Sequence, residues 1–111
     1  MEKISSFPYK FELGGTKFEI EDGRVTWVNP EGIESKCSLD GKIQGIAIFK
    51  NKIEYVMTVK YPDGIYCISH NNGIFGPFKE VKDIQYDDKK SISVISGVRG
   101  KETGAFPMVR E

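Results

Sequence analysis

The sequence predicts an all-β fold, an antiparallel meander of short strands. Three observations lead there. Isoleucine and valine number 13 and 8 in the 111 residues, against 2 leucines and 2 alanines. β-Branched side chains lose rotamer freedom in a helix and pack well on a pleated sheet, whereas helices favour Ala and Leu. The 12 glycines and 5 prolines cut the chain so finely that only Ile46 to Tyr61 and Phe78 to Ser96 run longer than ten residues without one. That leaves room for one short helix at most. Finally, Ile53, Tyr55, Met57, Val59 and Tyr61 alternate with Glu54, Val56, Thr58 and Lys60, and period two is the signature of a strand.

The strands follow in order, each bounded by turn residues. Tyr9 to Leu13 and Lys17 to Ile20 flank Gly14-Gly15, a hairpin turn that needs the positive φ glycine tolerates. Glu21-Asp22-Gly23 leads into Arg24 to Asn29, and Pro30-Glu31-Gly32 separates that from Ile33 to Leu39. Asp40-Gly41 opens Lys42 to Phe49. Lys50-Asn51-Lys52 turns into Ile53 to Lys60, the expected central core strand. Pro62-Asp63-Gly64 turns into Ile65 to His70, where Ile65, Cys67 and Ser69 share one face and Tyr66, Ile68 and His70 the other. After Asn71-Asn72-Gly73 come Ile74 to Phe78 and Val81 to Tyr86. Asp87-Asp88-Lys89-Lys90 leads to Ser91 to Ser96, in which Ile92 and Val94 alternate with Ser91 and Ser93. Gly97, Gly100 and Gly104 mark a flexible hairpin loop, and Ala105 to Val109 is the last strand.

Length and charge remove several functions. A chain of 111 residues is one domain, residues 1–111, by the usual length prior. Sixteen basic residues balance sixteen acidic ones. That argues against binding a nucleic-acid duplex and against a polybasic membrane anchor. The start, Met1 to Pro8, has no apolar signal core. The longest fully apolar run, Ile46 to Phe49, is far short of the ~20 residues of a membrane helix. Cys37 and Cys67 are too few for a disulfide framework and are expected reduced and buried. The expected location is the cytoplasm.

A weak internal repeat is present. Val25-Thr26-Trp27-Val28-Asn29, then Gly32-Ile33, recurs as Ile65-Tyr66-Cys67-Ile68-Ser69, then Gly73-Ile74. The spacing divides the chain into two blade-like units, about 24–63 and 64–104. The run Gly76-Pro77-Phe78-x-x-Val81-x-x-Ile84-x-Tyr86-x-Asp88-x-Lys90-x-Ile92-x-Val94 resembles a blade of the TolB-like or WD-related β-propellers. Ser38-x-Asp40-Gly41-Lys42 and Pro62-Asp63-Gly64-x-Tyr66 are similar to the hairpins of such blades. The resemblance spans roughly residues 38–96. Lys89 stands where the repeat usually has glycine, and no Trp-Asp dipeptide occurs. A propeller needs four to eight blades, and this chain supplies fewer than three. The resemblance therefore implies a homo-oligomer that completes the ring; a small barrel or sandwich is the alternative architecture.

Catalytic constellations are missing. A single histidine and two widely spaced cysteines make no metal-ligand set, so neither a metal nor a cofactor is expected. His70 could serve as a base with Ser69 or Asp63, but Ser69 and His70 point to opposite faces of one strand. The carboxylate pairs Glu21-Asp22 and Asp87-Asp88 fit solvated turns. The chain is therefore expected to be a non-enzymatic binding module. Its expected ligand is small and polar, a sugar or nucleotide-like molecule, held by Trp27, Tyr66, His70, Arg99 and Lys101. Trp27 and Tyr66 would stack on it, and Arg99 and Lys101 would meet an anion from a glycine-rich loop. The alternative is a protein–protein interaction or inhibitor module that uses an exposed sheet edge and an aromatic turn anchored by Phe75 and Phe78.

Overall fold

The computed structural model describes residues 1–71 and 73–108. Among the described residues there are twelve strands: β1 (Glu2–Ile4), β2 (Tyr9–Leu13), β3 (Thr16–Glu21), β4 (Arg24–Val28), β5 (Glu34–Ser38), β6 (Lys42–Phe49), β7 (Glu54–Lys60), β8 (Tyr66–His70), β9 (Gly73–Phe78), β10 (Glu80–Asp87), β11 (Ile92–Arg99) and β12 (Glu102–Pro107). One 3-10 turn, Lys50–Lys52, joins β6 to β7. The all-β expectation is borne out, and so is the meander. Every pairing is antiparallel, and three successive runs, β2-β3-β4-β5, β6-β7-β8-β9 and β10-β11-β12, each form a sheet in chain order. Only β1 breaks sequence order, pairing beside β6.

The three sheets are open, and they stack as layers. The first sheet (β2–β5) packs Phe11, Leu13, Phe18, Ile20 and Val25 against Ile43, Ile46, Ile48, Tyr55, Met57 and Val59 of the central sheet. The third sheet (β10–β12) packs Ile84 and Ile95 against Ala47, Phe49, Val56, Ile68 and Phe78 on the other side. Alternation along the strand explains how one sheet serves two cores. In β6, Ile46 and Ile48 go one way and Ala47 and Phe49 the other. In β7, Tyr55, Met57 and Val59 oppose Val56 as the sequence implies. The architecture is thus a layered sandwich rather than a closed barrel. The segment 24–63 draws strands from the first and central sheets, and 64–104 from the central and third.

Local chemistry sets the turns. Gly14 and Gly15 have φ of 56° and 82°, as a primed hairpin turn requires. The Asp87 carboxylate accepts from the Lys89 and Lys90 amides at 3.0 and 3.1 Å, as a turn aspartate should.

The alternation of Ile92 and Val94 with Ser93 holds, with Ser93, Ile95 and Gly97 on the buried face of β11 and Ile92 and Val94 half-buried on the other. Several expectations need correction. The expected flexible loop from Gly97 to Gly104 is mostly strand: β11 runs to Arg99 and β12 starts at Glu102, with Gly100 and Lys101 between. Cys37 is exposed and Cys67 half-buried, so the expected burial of both thiols fails, although both are free. Val109, expected to end the last strand, and Asn72 of the third-quarter turn lie outside the described residues.

Candidate functional site

The first and central sheets enclose a cavity of about 310 Å³. Its walls come from β4 and β5 (Val25, Trp27, Cys37) with Leu39 beyond, and from β7 and β8 (Tyr55, Met57, Val59, Cys67, Ser69) with Tyr61 beyond; Ile74 of β9 forms the rim. Residue size explains the space. Cys37 pairs across from buried Val25, so both face inward from the first sheet. Cys67 and Ser69 pair across from Val59 and Met57, so all four face inward from the central sheet. Small side chains thus oppose small side chains where the two sheets meet, and the larger residues around them hold the layers apart. Ile74, 75 % exposed, leaves an apolar lip at the edge strand β9.

No Asp, Glu, Lys, Arg or His lines the cavity. Burial, and then the Asp63 carboxylate, push the Cys67 thiol above its ordinary value. Burial raises the Tyr61 hydroxyl too, helped by Cys67, Asp40 and Cys37. Both groups therefore keep their protons. A site with apolar walls, one indole, two phenols, two thiols and one hydroxyl suits an apolar or aromatic guest, with few polar groups to orient it.

Of the residues expected to bind a ligand, only Trp27 lines this cavity. Tyr66 lies across the central sheet, packed against the second core, with the Lys60 ammonium 5.5 Å from its ring centroid. The odd-and-even geometry of a sheet separates these two rings, so they cannot sandwich one ligand. Tyr66 lines a different cavity, about 370 Å³, between the central and third sheets. That cavity is polar: Lys3, Ser5, Gln44, Thr58, Lys82 and Asp83 contribute to it. Lys3 bonds Asp83 at 2.7 Å. This bond, with the Ile84 amide and the Gln85 carboxamide, holds the Asp83 carboxyl below its usual range.

His70 is corrected more sharply. Its ring is 3 % exposed, and Nε2 sits 2.8 Å from Glu54 Oε1. The Phe75 ring lies 6.1 Å away, centroid to centroid. A ring so placed presents almost no surface to a ligand; it is a buried partner for a carboxylate. The sequence could not show that Glu54, diagonally across the β7–β8 pair, would reach it. Glu54 Oε2, His70 Nδ1 and Ser93 Oγ are buried and have no hydrogen-bond partner among the described residues.

The expected aromatic anchor also changes. Phe78 is 2 % exposed and belongs to the second core; Phe75 packs partly buried against that core. Gly76-Pro77 lies within β9, so the pair is strand rather than exposed turn. The side chains that β9 does offer to solvent are Ile74 and Pro77. Arg99 and Lys101 are exposed at the tip of the β11–β12 hairpin, and neither lines the Trp27 cavity or the Tyr66 cavity. Comparison with protein-family models, curated proteins and solved structures finds no match to this chain.

Proposed function

We propose that this chain is a non-enzymatic binding module whose site is the Trp27 cavity, and that its ligand is a compact apolar or aromatic molecule. The observation that carries the reading is a cavity of about 310 Å³ between two sheets, walled by Trp27, Tyr55, Met57, Val59 and Tyr61 and open past Ile74. Such a pocket gains affinity from apolar area removed from water, ~25 cal/mol per Å². It offers a charged ligand nothing to pair with. Trp27 is the sole tryptophan, so its fluorescence reports the site directly. Titration with small aromatic probes should shift that emission saturably, and Ser69→Phe, which fills the cavity, should abolish the shift while leaving the far-ultraviolet circular dichroism unchanged. A flat emission across the probe series would end this reading.

A second reading is carried by the Tyr66 cavity, whose lysines, Asp83, Gln44 and Thr58 suit a small polar ligand. Calorimetry with sugars and nucleotides tests it, and heat that survives Tyr66→Ala would count against it. Partner capture or self-association is supported by the open edges, since β5 is exposed along most of its length and unpaired edges invite strand addition. The propeller resemblance would require a symmetric homo-oligomer, and light scattering at the mass of one chain would remove it. Two free thiols fit a reducing compartment such as the cytoplasm. Among the described residues no helix is long and apolar enough to cross a membrane.

A further inference from the structure

Two β-bulges, in strands of different sheets, open onto the same cavity. In the β6–β7 pair, Ile43 and Gly45 lie opposite the consecutive residues Val59 and Thr58, so Gln44 is an extra residue without a partner. In the β10–β11 pair, Val81 and Asp83 lie opposite Gly97 and Ser96, so Lys82 is extra in the same way. Glycine permits both irregularities. A Cβ on Gly45 would lie 3.2 Å from the Ile4 carbonyl oxygen, and one on Gly97 would run into the Glu80 carbonyl. Bulges recur where a side chain is re-aimed toward a site. Both inserted residues, Gln44 and Lys82, line the cavity of about 370 Å³ between the central and third sheets.

The charges around this cavity do not cancel. Two lysines and one aspartate line it. Lys3 and Asp83 neutralise each other, with Nζ 2.7 Å from Oδ1, and the Ile84 amide and Gln85 carboxamide fix the same carboxylate. Lys82 takes part in no ion pair among the described residues. The Lys60 ammonium stands 5.5 Å from the centroid of the Tyr66 ring, so a further positive charge borders that wall. Beside the uncompensated lysine are groups that suit hydroxyls. The Gln44 carboxamide makes one long bond, 3.4 Å to the Lys42 carbonyl. Buried Thr58 adds a hydroxyl, and the Tyr66 ring offers a flat apolar face.

We propose that this cavity selects an oxyanion on a small hydroxylated body, a phosphorylated or carboxylated sugar or a mononucleotide, and that Lys82 reads the anion. The selection rests on the second reading above, that the cavity takes a small polar ligand; Lys82 adds the preference for negative charge. A lysine is a point charge that meets phosphate or carboxylate oxygens without demanding a fixed geometry. Gln44, Thr58 and Tyr66 then receive the uncharged part of the molecule. Lys82 is exposed, so salt screens its attraction and the preference for the anion falls as ionic strength rises.

The test is calorimetry on the full chain with two matched series, in which the body stays the same and the charge changes. One is glucose, glucuronate and glucose 6-phosphate; the other is adenosine and adenosine monophosphate. In at least one series a charged member should bind at least ~10-fold more tightly than its neutral parent. The series that responds names the body, and glucuronate against the sugar phosphate names the oxyanion. Lys82→Gln, at an exposed position where folding is not at risk, should remove the margin and leave the neutral parent unchanged. Asp83→Asn removes the carboxylate and frees Lys3, so it should tighten the charged member further. Equal affinity for neutral and charged members, a margin that survives Lys82→Gln, or weaker anion binding in Asp83→Asn would overturn the assignment alone. Absence of heat from every member would remove the polar-ligand reading as well.

Discussion

A Cβ built on Gly97 would lie 2.1 Å from the Glu80 carbonyl oxygen and 3.2 Å from Val81 Cα. Both are backbone atoms of the neighbouring strand, at the point where the β10–β11 register slips between Val81 and Asp83. Nothing flexible can yield, so Gly97→Ala must push the strands apart. We expect a loss of about 3 kcal/mol or more, read as a lower urea midpoint. Ile53 presents the opposite case. It is 60 % exposed and holds a φ of 52°, a conformation that costs a β-branched residue ~1–2 kcal/mol. Asn71 keeps it there: its carboxamide accepts from the Tyr55 amide at 2.9 Å and donates to the Ile53 carbonyl at 3.3 Å. The Ile53 side chain recovers some of the cost by resting over Gly14. Ile53→Gly should therefore stabilise the fold by about 1 kcal/mol, checked by the same urea titration. A destabilised variant would mean that the contact with Gly14 outweighs the strain.

At the level of elements, β7 and β8 are joined by more than their ladder. The Glu54–His70 pair ties their ends together on the face toward the third sheet, with side-chain exposures of 15 % and 4 %. Removing one member of such a pair leaves the other desolvated without its partner. Glu54→Gln and His70→Phe should each cost about 2 kcal/mol at pH 7, scaled down because Glu54 keeps some contact with water. The double variant should cost less than their sum by ~1 kcal/mol. A coupling indistinguishable from zero would show that the two side chains act separately. The strands themselves were legible wherever side chains alternate and glycine or aspartate marks the ends, as in β2, β3, β7 and β8. β1 was not, because Glu2-Lys3-Ile4 has no period of its own and becomes a strand only by pairing with Ile46, Ala47 and Ile48. The β11–β12 hairpin was read as loop because glycines at 97, 100 and 104 signal breaks. In the fold Gly97 is instead a place of close backbone approach, and only Gly100, with φ of 61°, makes the turn.

For the molecule as a whole, period two reveals that a strand has two faces but not which layers those faces meet. Hence Trp27 and Tyr66, both aromatic and both mid-strand, read as one site although the central sheet stands between them. The Trp27 cavity was hidden for a related reason. It exists because Cys37, on one sheet, faces Cys67 and Ser69 on another, and no spacing within the chain encodes that encounter. The same encounter gives the fold a pH response. Cys67 and Tyr61 both have folded pKa values above their ordinary 9.0 and 10.0, chiefly through burial. A group whose pKa rises on folding binds its proton more tightly in the folded state. Its contribution is complete below the unfolded pKa and is lost as pH climbs through the folded one. Stability should therefore be level from pH 7 to about 8.5 and fall above 9, first as the unfolded thiol ionises and then as the unfolded phenol does. Cys67→Ser removes the first of these, so its urea midpoint should decline less steeply between pH 9 and 10 than that of the parent chain. Tyr61→Phe should flatten the decline beyond pH 10. Parallel curves for the parent and both variants would show that alkaline loss of stability arises elsewhere in the chain, and that burial in the groove does not hold these two protons.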